Sequence, residues 1–178
     1  MGGQIGYRTF GTEGDWLVLI HGWCGNAEHW NAIAPELARD YRVLAVSHPG
    51  FGGMLPPPPA GQTIRAMGTA VAHLHPSTDE AMREAIADDM IASAPPTFAL
   101  DVKDDLFAWD AEERWPLVTR PAVILNSTWV ARLADPKPMA CFSTTDVIEY
   151  DSGHFPMIEA PVMIVEKLRS CLATLVYA

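Results

Sequence analysis

Two short runs, the continuously apolar Trp16 to Ile20 and Arg42 to Val46, apolar after its leading arginine, constrain this chain most tightly. Each is short, rich in Val, Leu and Ile, and lacks the alternation of a half-exposed strand. Such runs read as strands covered on both faces. Between them, Trp30 to Arg39 carries Trp30, Ile33, Ala34 and Leu37 at helical spacing. Strand, helix and strand in that order predict a parallel sheet with crossover helices.

The rest of the chain extends the pattern. Gln4 to Phe10 reads as a short edge strand before a Gly-Thr-Glu-Gly-Asp turn, and Pro56 to Pro59 is an extended stretch. Thr63 is placed to cap a helix reaching about His73. A further helix is expected from Ser77 toward Ser93, with Ser77 and Glu80 forming a capping box, and an amphipathic piece from Val102 to Trp109. Ala122 to Asn126 and Asp146 to Tyr150 read as third and fourth buried strands. Pro161 opens a final helix whose expected buried stripe is Val162, Val165, Leu168 and Leu172. With no repeat and no linker, residues 1–178 read as one domain.

Charge and cysteine usage narrow the function classes. The formal net charge is −10, without a cluster of Lys or Arg, which argues against nucleic acid and anionic membranes as partners. No apolar stretch reaches membrane-spanning length. Met1-Gly2-Gly3-Gln4 lacks a basic segment followed by an apolar run, so a cytoplasmic protein is expected. Cys24, Cys141 and Cys171 are an odd number with no metal-ligand spacing, and they read as structural or incidental thiols.

Three segments carry the chemistry. His21-Gly22-Trp23-Cys24-Gly25 follows the first buried strand, Ser47-His48-Pro49-Gly50-Phe51-Gly52 follows the second, and Asp151-Ser152-Gly153-His154-Phe155-Pro156 follows the last. Together they resemble the α/β-hydrolase family, esterases and lipases included. The resemblance runs from about Trp16 to Leu172. It implies an α/β-hydrolase fold in abridged form, a mainly parallel sheet flanked by helices, and a reaction that requires no metal or organic cofactor. Residues 77–115 would then be a reduced, cap-like helical segment.

The resemblance also implies roles. The Trp23 amide would donate to the oxyanion of an acyl-transfer intermediate, and His154 would be the general base. His21, Gly22, Trp23, Phe107, Trp109 and Phe155 would line the substrate. Asp135 is a candidate for the acid that orients His154; Asp151 is a second candidate, with a plain turn role as its alternative. Each of these residues also has an ordinary structural reading in a strand end, turn or core.

The family's G-x-S-x-G nucleophile turn is absent from the sequence. Ala72-His73-Leu74-His75-Pro76 runs directly into the segment that follows it in the family. Cys24, Ser47 and Ser152 are the replacement candidates at strand ends. A missing central strand would leave a sheet edge open. It would be covered by a homodimer partner, or removed by moving Ala122–Asn126 beside Trp16–Ile20. Two function classes follow: a hydrolase of small hydrophobic carboxylic esters, or a non-catalytic ligand-binding or dimerising remnant of that fold.

Overall fold

A computed structural model describes residues 6–22, 24–48, 51–52, 74–93, 122–131 and 145–175. β1 (Gly6–Phe10), β2 (Trp16–Ile20) and β3 (Arg42–Ser47) form a sheet of order β1-β3-β2. β2 runs parallel to β3, with Leu17 opposite Val43 and Ile20 opposite Val46. β1 runs antiparallel on the other side, with Phe10 opposite Val43. β4 (Ala122–Ser127) and β5 (Thr145–Tyr150) form a second, parallel pair, with Leu125 opposite Ile148. Among the described residues β4 pairs with β5 and not with β2, so the expected move of Ala122–Asn126 beside Trp16–Ile20 is not what the structure shows.

The β2–β3 crossover is more broken than its periodicity suggests. A 3-10 turn covers Ala27–Trp30 and α1 is the single turn Ala34–Leu37, opened by Pro35 in its first turn. Ile33, Ala34 and Leu37 are fully buried nonetheless, and they meet Val43 and Ala45 of β3. α5 (Pro161–Leu175) closes this core with Ile164 and Val165, and Leu168 packs against it. The stripe expected from Val162 is therefore rotated, since Val162 is 73% exposed. This helix is apolar on several faces, so more than one stripe satisfies helical spacing and packing chooses between them.

The expectation that β2 is covered on both faces also fails. Leu19 faces the core, whereas Trp16, Val18 and Ile20 are exposed, each near half or more of its surface. The Arg42 guanidinium lies 4.8 Å over the Trp16 ring, covering part of that face.

α2 (Glu80–Ser93) buries Ile86 and Met90 in a second apolar cluster with Cys24, Phe51, Leu74 and Phe155. Its start differs from the Ser77–Glu80 box. Asp79 Oδ1 accepts from Met82 N–H at 2.9 Å, while the Ser77 hydroxyl turns to His75. A carboxylate at the cap complements the helix dipole and holds that position. The remaining described helices, α3 (Thr128–Ala131) and α4 (Pro156–Glu159), are single turns that follow β4 and precede α5. The expected helices over 63–73 and 102–109, with most of the cap-like segment, lie outside the described residues.

Candidate active site

The loop after β2 is fixed by its own polar groups. His21 is buried, and its Nε2 accepts from His48 N–H at 2.9 Å. That assigns the ring proton to Nδ1, which donates to Gly22 O at 2.6 Å. Burial lowers the His21 pKa from its ordinary value; the Gly22 bond opposes this, and the neighbouring His48 and His29 add to it. His21 is thus a neutral brace between two strand-end turns. Trp23 lies outside the described residues. Cys24 adopts φ 55° and is fully buried, and burial pushes its thiol up to about 12. That is opposite in direction to an activated thiolate.

Ser47 ends β3 with its hydroxyl accepting from Ala27 N–H at 2.9 Å. Gly52, at φ 68°, passes so close that a Cβ there would lie 2.9 Å from Ser47 Oγ. Asn26 Oδ1 caps the following turn at Glu28 N–H (2.7 Å), and its amide reaches Asp89 Oδ2 and Ser93 Oγ at 3.0 and 3.3 Å. His29 Nε2 lies 2.5 Å from the same Asp89 oxygen. The His29 bond holds the Asp89 carboxyl below its ordinary range, against burial, with Asn26 adding to the effect. A polar cleft of about 350 Å³ opens here, lined by Arg8, Asn26, Ser47, Asp89 and Ser93. An apolar hollow of about 340 Å³ lies beside it, lined by His29, Met82, Ala85, Ile86, Asp89 and Ile158.

Beyond β5 the chain meets this end of the molecule again. Phe155 is buried edge-on to His29, with ring centroids 5.5 Å apart, and shares the second apolar cluster with Cys24. His154 is exposed, its ring 5.1 Å from that of Phe155. Ser152 is buried, and its carbonyl accepts from the Ser127 hydroxyl. Asp135, Phe107 and Trp109 lie outside the described residues. The structure therefore brings His21, Cys24, Ser47 and Phe155 to one end of the strands.

Sequence reasoning passed over a turn at residues 75–78. Thr78 N–H donates to His75 O at 3.0 Å with Pro76 second in the turn, a position its fixed φ favours. Glu159 accepts from His75 N–H (3.0 Å), from the Thr78 hydroxyl (2.5 Å) and from Phe155 N–H (3.1 Å). Arg83 donates to His75 O and Thr78 O at 2.6 and 2.9 Å. Gly153 packs against His75 N and the Glu159 carboxylate, where a Cβ would lie 2.6 Å from Oε1. The available signal was His75-Pro76-Ser77-Thr78 itself, a run of turn-forming residues. Asn26, His29 and Asp89 were also missed, because their grouping depends on α2 docking.

Among the described residues, no group of three or more His, Cys, Asp or Glu side chains is placed to hold a metal ion. No helix among them is long and apolar enough to cross a membrane.

Comparison with known proteins agrees with this architecture. Residues 15–91 match the family model described as alpha/beta hydrolase fold. A thermophilic esterase from Thermogutta terrifontis superposes with TM-score 0.75 at 14% identity, covering 96% of this chain and 93% of that one. Est816, titled an N-acyl homoserine lactone degrading enzyme, gives TM-score 0.73 at 14% identity, covering 93% and 96%. The chain thus has an α/β-hydrolase fold, in abridged form. Among curated proteins it is similar to the pimeloyl-[acyl-carrier protein] methyl ester esterase of Sodalis glossinidius (strain morsitans). That match is 48% identical over 46 residues, 26% of this chain. The enzyme of the same name from Aeromonas hydrophila subsp. hydrophila is 47% identical over 49 residues, 28% of this chain. The matches span only 18% and 19% of the length of these relatives.

Proposed function

We propose that this chain is a carboxylic-ester hydrolase acting on small, hydrophobic acyl substrates. The observation that carries the reading is the segment of 46 to 49 residues shared with the methyl ester esterases, within a chain of hydrolase fold. In this reading the Trp23 amide receives the oxyanion, and a histidine base moves the proton between nucleophile and leaving group. The hollow lined by Met82, Ala85, Ile86 and Ile158 supports a short apolar group on the substrate. The step is acyl transfer to a side-chain nucleophile and then to water, and it needs no cofactor.

The test is hydrolysis of a short-chain aryl ester by purified wild type, His154→Ala and Cys24→Ala. Hydrolysis by wild type above the buffer rate supports the reading, loss of it in His154→Ala would assign the base to His154, and equal background rates in all three refute the reading for that substrate class.

A second reading, a ligand-binding or dimerising remnant, is favoured by the absent G-x-S-x-G and by the exposed Trp16, Val18 and Ile20 on β2. Ligand binding without turnover, or stability that rises with protein concentration, would select it.

A further inference from the structure

An acyl hydrolase needs a nucleophile that substrate can reach, and the strand-end candidates fail that requirement. Cys24 is 0% exposed, Ser47 6% and Ser152 4%, and the Ser47 hydroxyl is already committed to Ala27 N–H. Ser77 differs in both respects. It is exposed, and its Oγ lies 2.6 Å from His75 Nδ1.

The protonation state of that histidine follows from its neighbours. Ser77 N–H, which can only donate, points at His75 Nδ1 at 3.2 Å. Nδ1 is therefore the lone-pair nitrogen and Nε2 carries the proton. Nε2 faces Asp151 Oδ1 at 3.4 Å, and the Thr128 hydroxyl lies 3.3 Å from the same carboxylate oxygen. The Ser77 hydroxyl thus donates to an imidazole whose opposite edge looks at a carboxylate. This is the order nucleophile, base, acid that activates a serine, with the two ring nitrogens exchanged relative to the usual arrangement.

The turn that carries these groups is built rather than incidental. Glu159 and Arg83 clamp His75 and Thr78 through both backbone polar groups of His75, the Thr78 hydroxyl and the Thr78 carbonyl. Trp129 stands edge-on to the imidazole, ring centroids 5.9 Å apart, and gives an apolar wall beside it. His75 itself is 24% exposed at its side chain, open enough to serve a substrate while partly screened from water.

We infer that Ser77, His75 and Asp151 form the acyl-transfer relay of this chain, with Ser77 as nucleophile for small carboxylic esters. This rests on the ester-hydrolase reading and gives it a reacting atom. Ser77 Oγ adds to the ester carbonyl carbon as its proton passes to His75 Nδ1. The tetrahedral adduct collapses, the bond to the alkoxy oxygen breaks, and His75 returns the proton to the departing alcohol. Water then adds to the acyl-serine, again losing a proton to Nδ1. The carboxylic acid leaves and Ser77 recovers its proton. Asp151 acts through His75 as a positioning residue, holding the ring and balancing the charge it gains.

The experiment uses the full chain, an aryl butyrate ester and an alkyl fluorophosphonate, with adduct sites located by peptide mass spectrometry. The expected result is a phosphonate adduct on Ser77, and hydrolysis that falls to the buffer rate in Ser77→Ala. His75→Gln should lose about 100-fold or more in kcat/KM, the scale of a general base. Asp151→Asn should show a smaller loss in kcat with KM retained. Ser77→Cys should move labelling from the fluorophosphonate to iodoacetamide, a result that a folding defect would not produce. An adduct on another serine, or unchanged hydrolysis in Ser77→Ala, overturns the relay and leaves the ester-hydrolase reading intact. Wild type that neither hydrolyses the ester nor takes the label overturns both.

Discussion

Gly153→Ala tests the joint between the turn at 75–78 and the loop after β5. The methyl group would enter the space held by His75 N and both carboxylate oxygens of Glu159. Neither neighbour has room, because the carboxylate is fixed by three donors from two separate segments. The methyl must displace the carboxylate from at least His75 N–H. A hydrogen bond to a charged group contributes about 1.5–3 kcal/mol. These groups are only part-buried, which favours the lower end, and crowding adds about 1–3 kcal/mol. The expected destabilisation is about 2–4 kcal/mol, or roughly 5–15 °C in Tm for a chain of this size. Urea unfolding measures it directly. In a double-mutant cycle with Glu159→Ala, the two losses should overlap by about 1 kcal/mol or more, since both break one joint. A Gly153→Ala variant within about 0.5 kcal/mol of wild type, or strict additivity in the cycle, would refute the reasoning.

Two further outcomes follow from buried titratable groups. His21 has a folded pKa below its ordinary 6.5, so on acidification the unfolded chain takes the proton first. Stability present above about pH 6.5 is then lost as pH falls through the depressed folded value. His21→Gln should flatten that part of the urea-midpoint profile between about pH 7.5 and about pH 5.5, and parallel profiles would contradict it. Cys24, with its thiol pushed up to about 12, should stay unalkylated by iodoacetamide in the folded protein and react once unfolded. Peptide mapping that finds native Cys24 modified as fast as a free thiol would refute this.

The sequence made legible whatever is set by neighbours a few residues away. The strands expected at Trp16–Ile20 and Arg42–Val46 do form parallel partners, and Pro161 does open the last helix. The reading failed where distant packing decides. Val162 satisfies the helical period but points outward, and β2 has one face exposed although all five of its residues are apolar. Ser77 lost the cap to Asp79, two positions along, because its hydroxyl has a better partner in His75. The clamp on His75 was invisible for a similar reason. Its acceptor belongs to a helix that sequence alone ties only to the loop before it. Asp135, Phe107, Trp109 and Trp23 lie outside the described residues.

Glu159 stands 84 positions beyond the His75 amide it accepts from. Closing a flexible loop of that length costs about 4 kcal/mol in chain entropy, and three hydrogen bonds to one carboxylate offset that cost only when formed together. During vectorial synthesis the 75–78 turn is made long before its clamp exists. It stays an ordinary fluctuating turn until the segment after β5 emerges and docks. Topology therefore fixes one order of events: the geometry around Ser77 locks only after the segment carrying Glu159 has been made. Protection of the His75 amide from hydrogen exchange would mark that last step of folding.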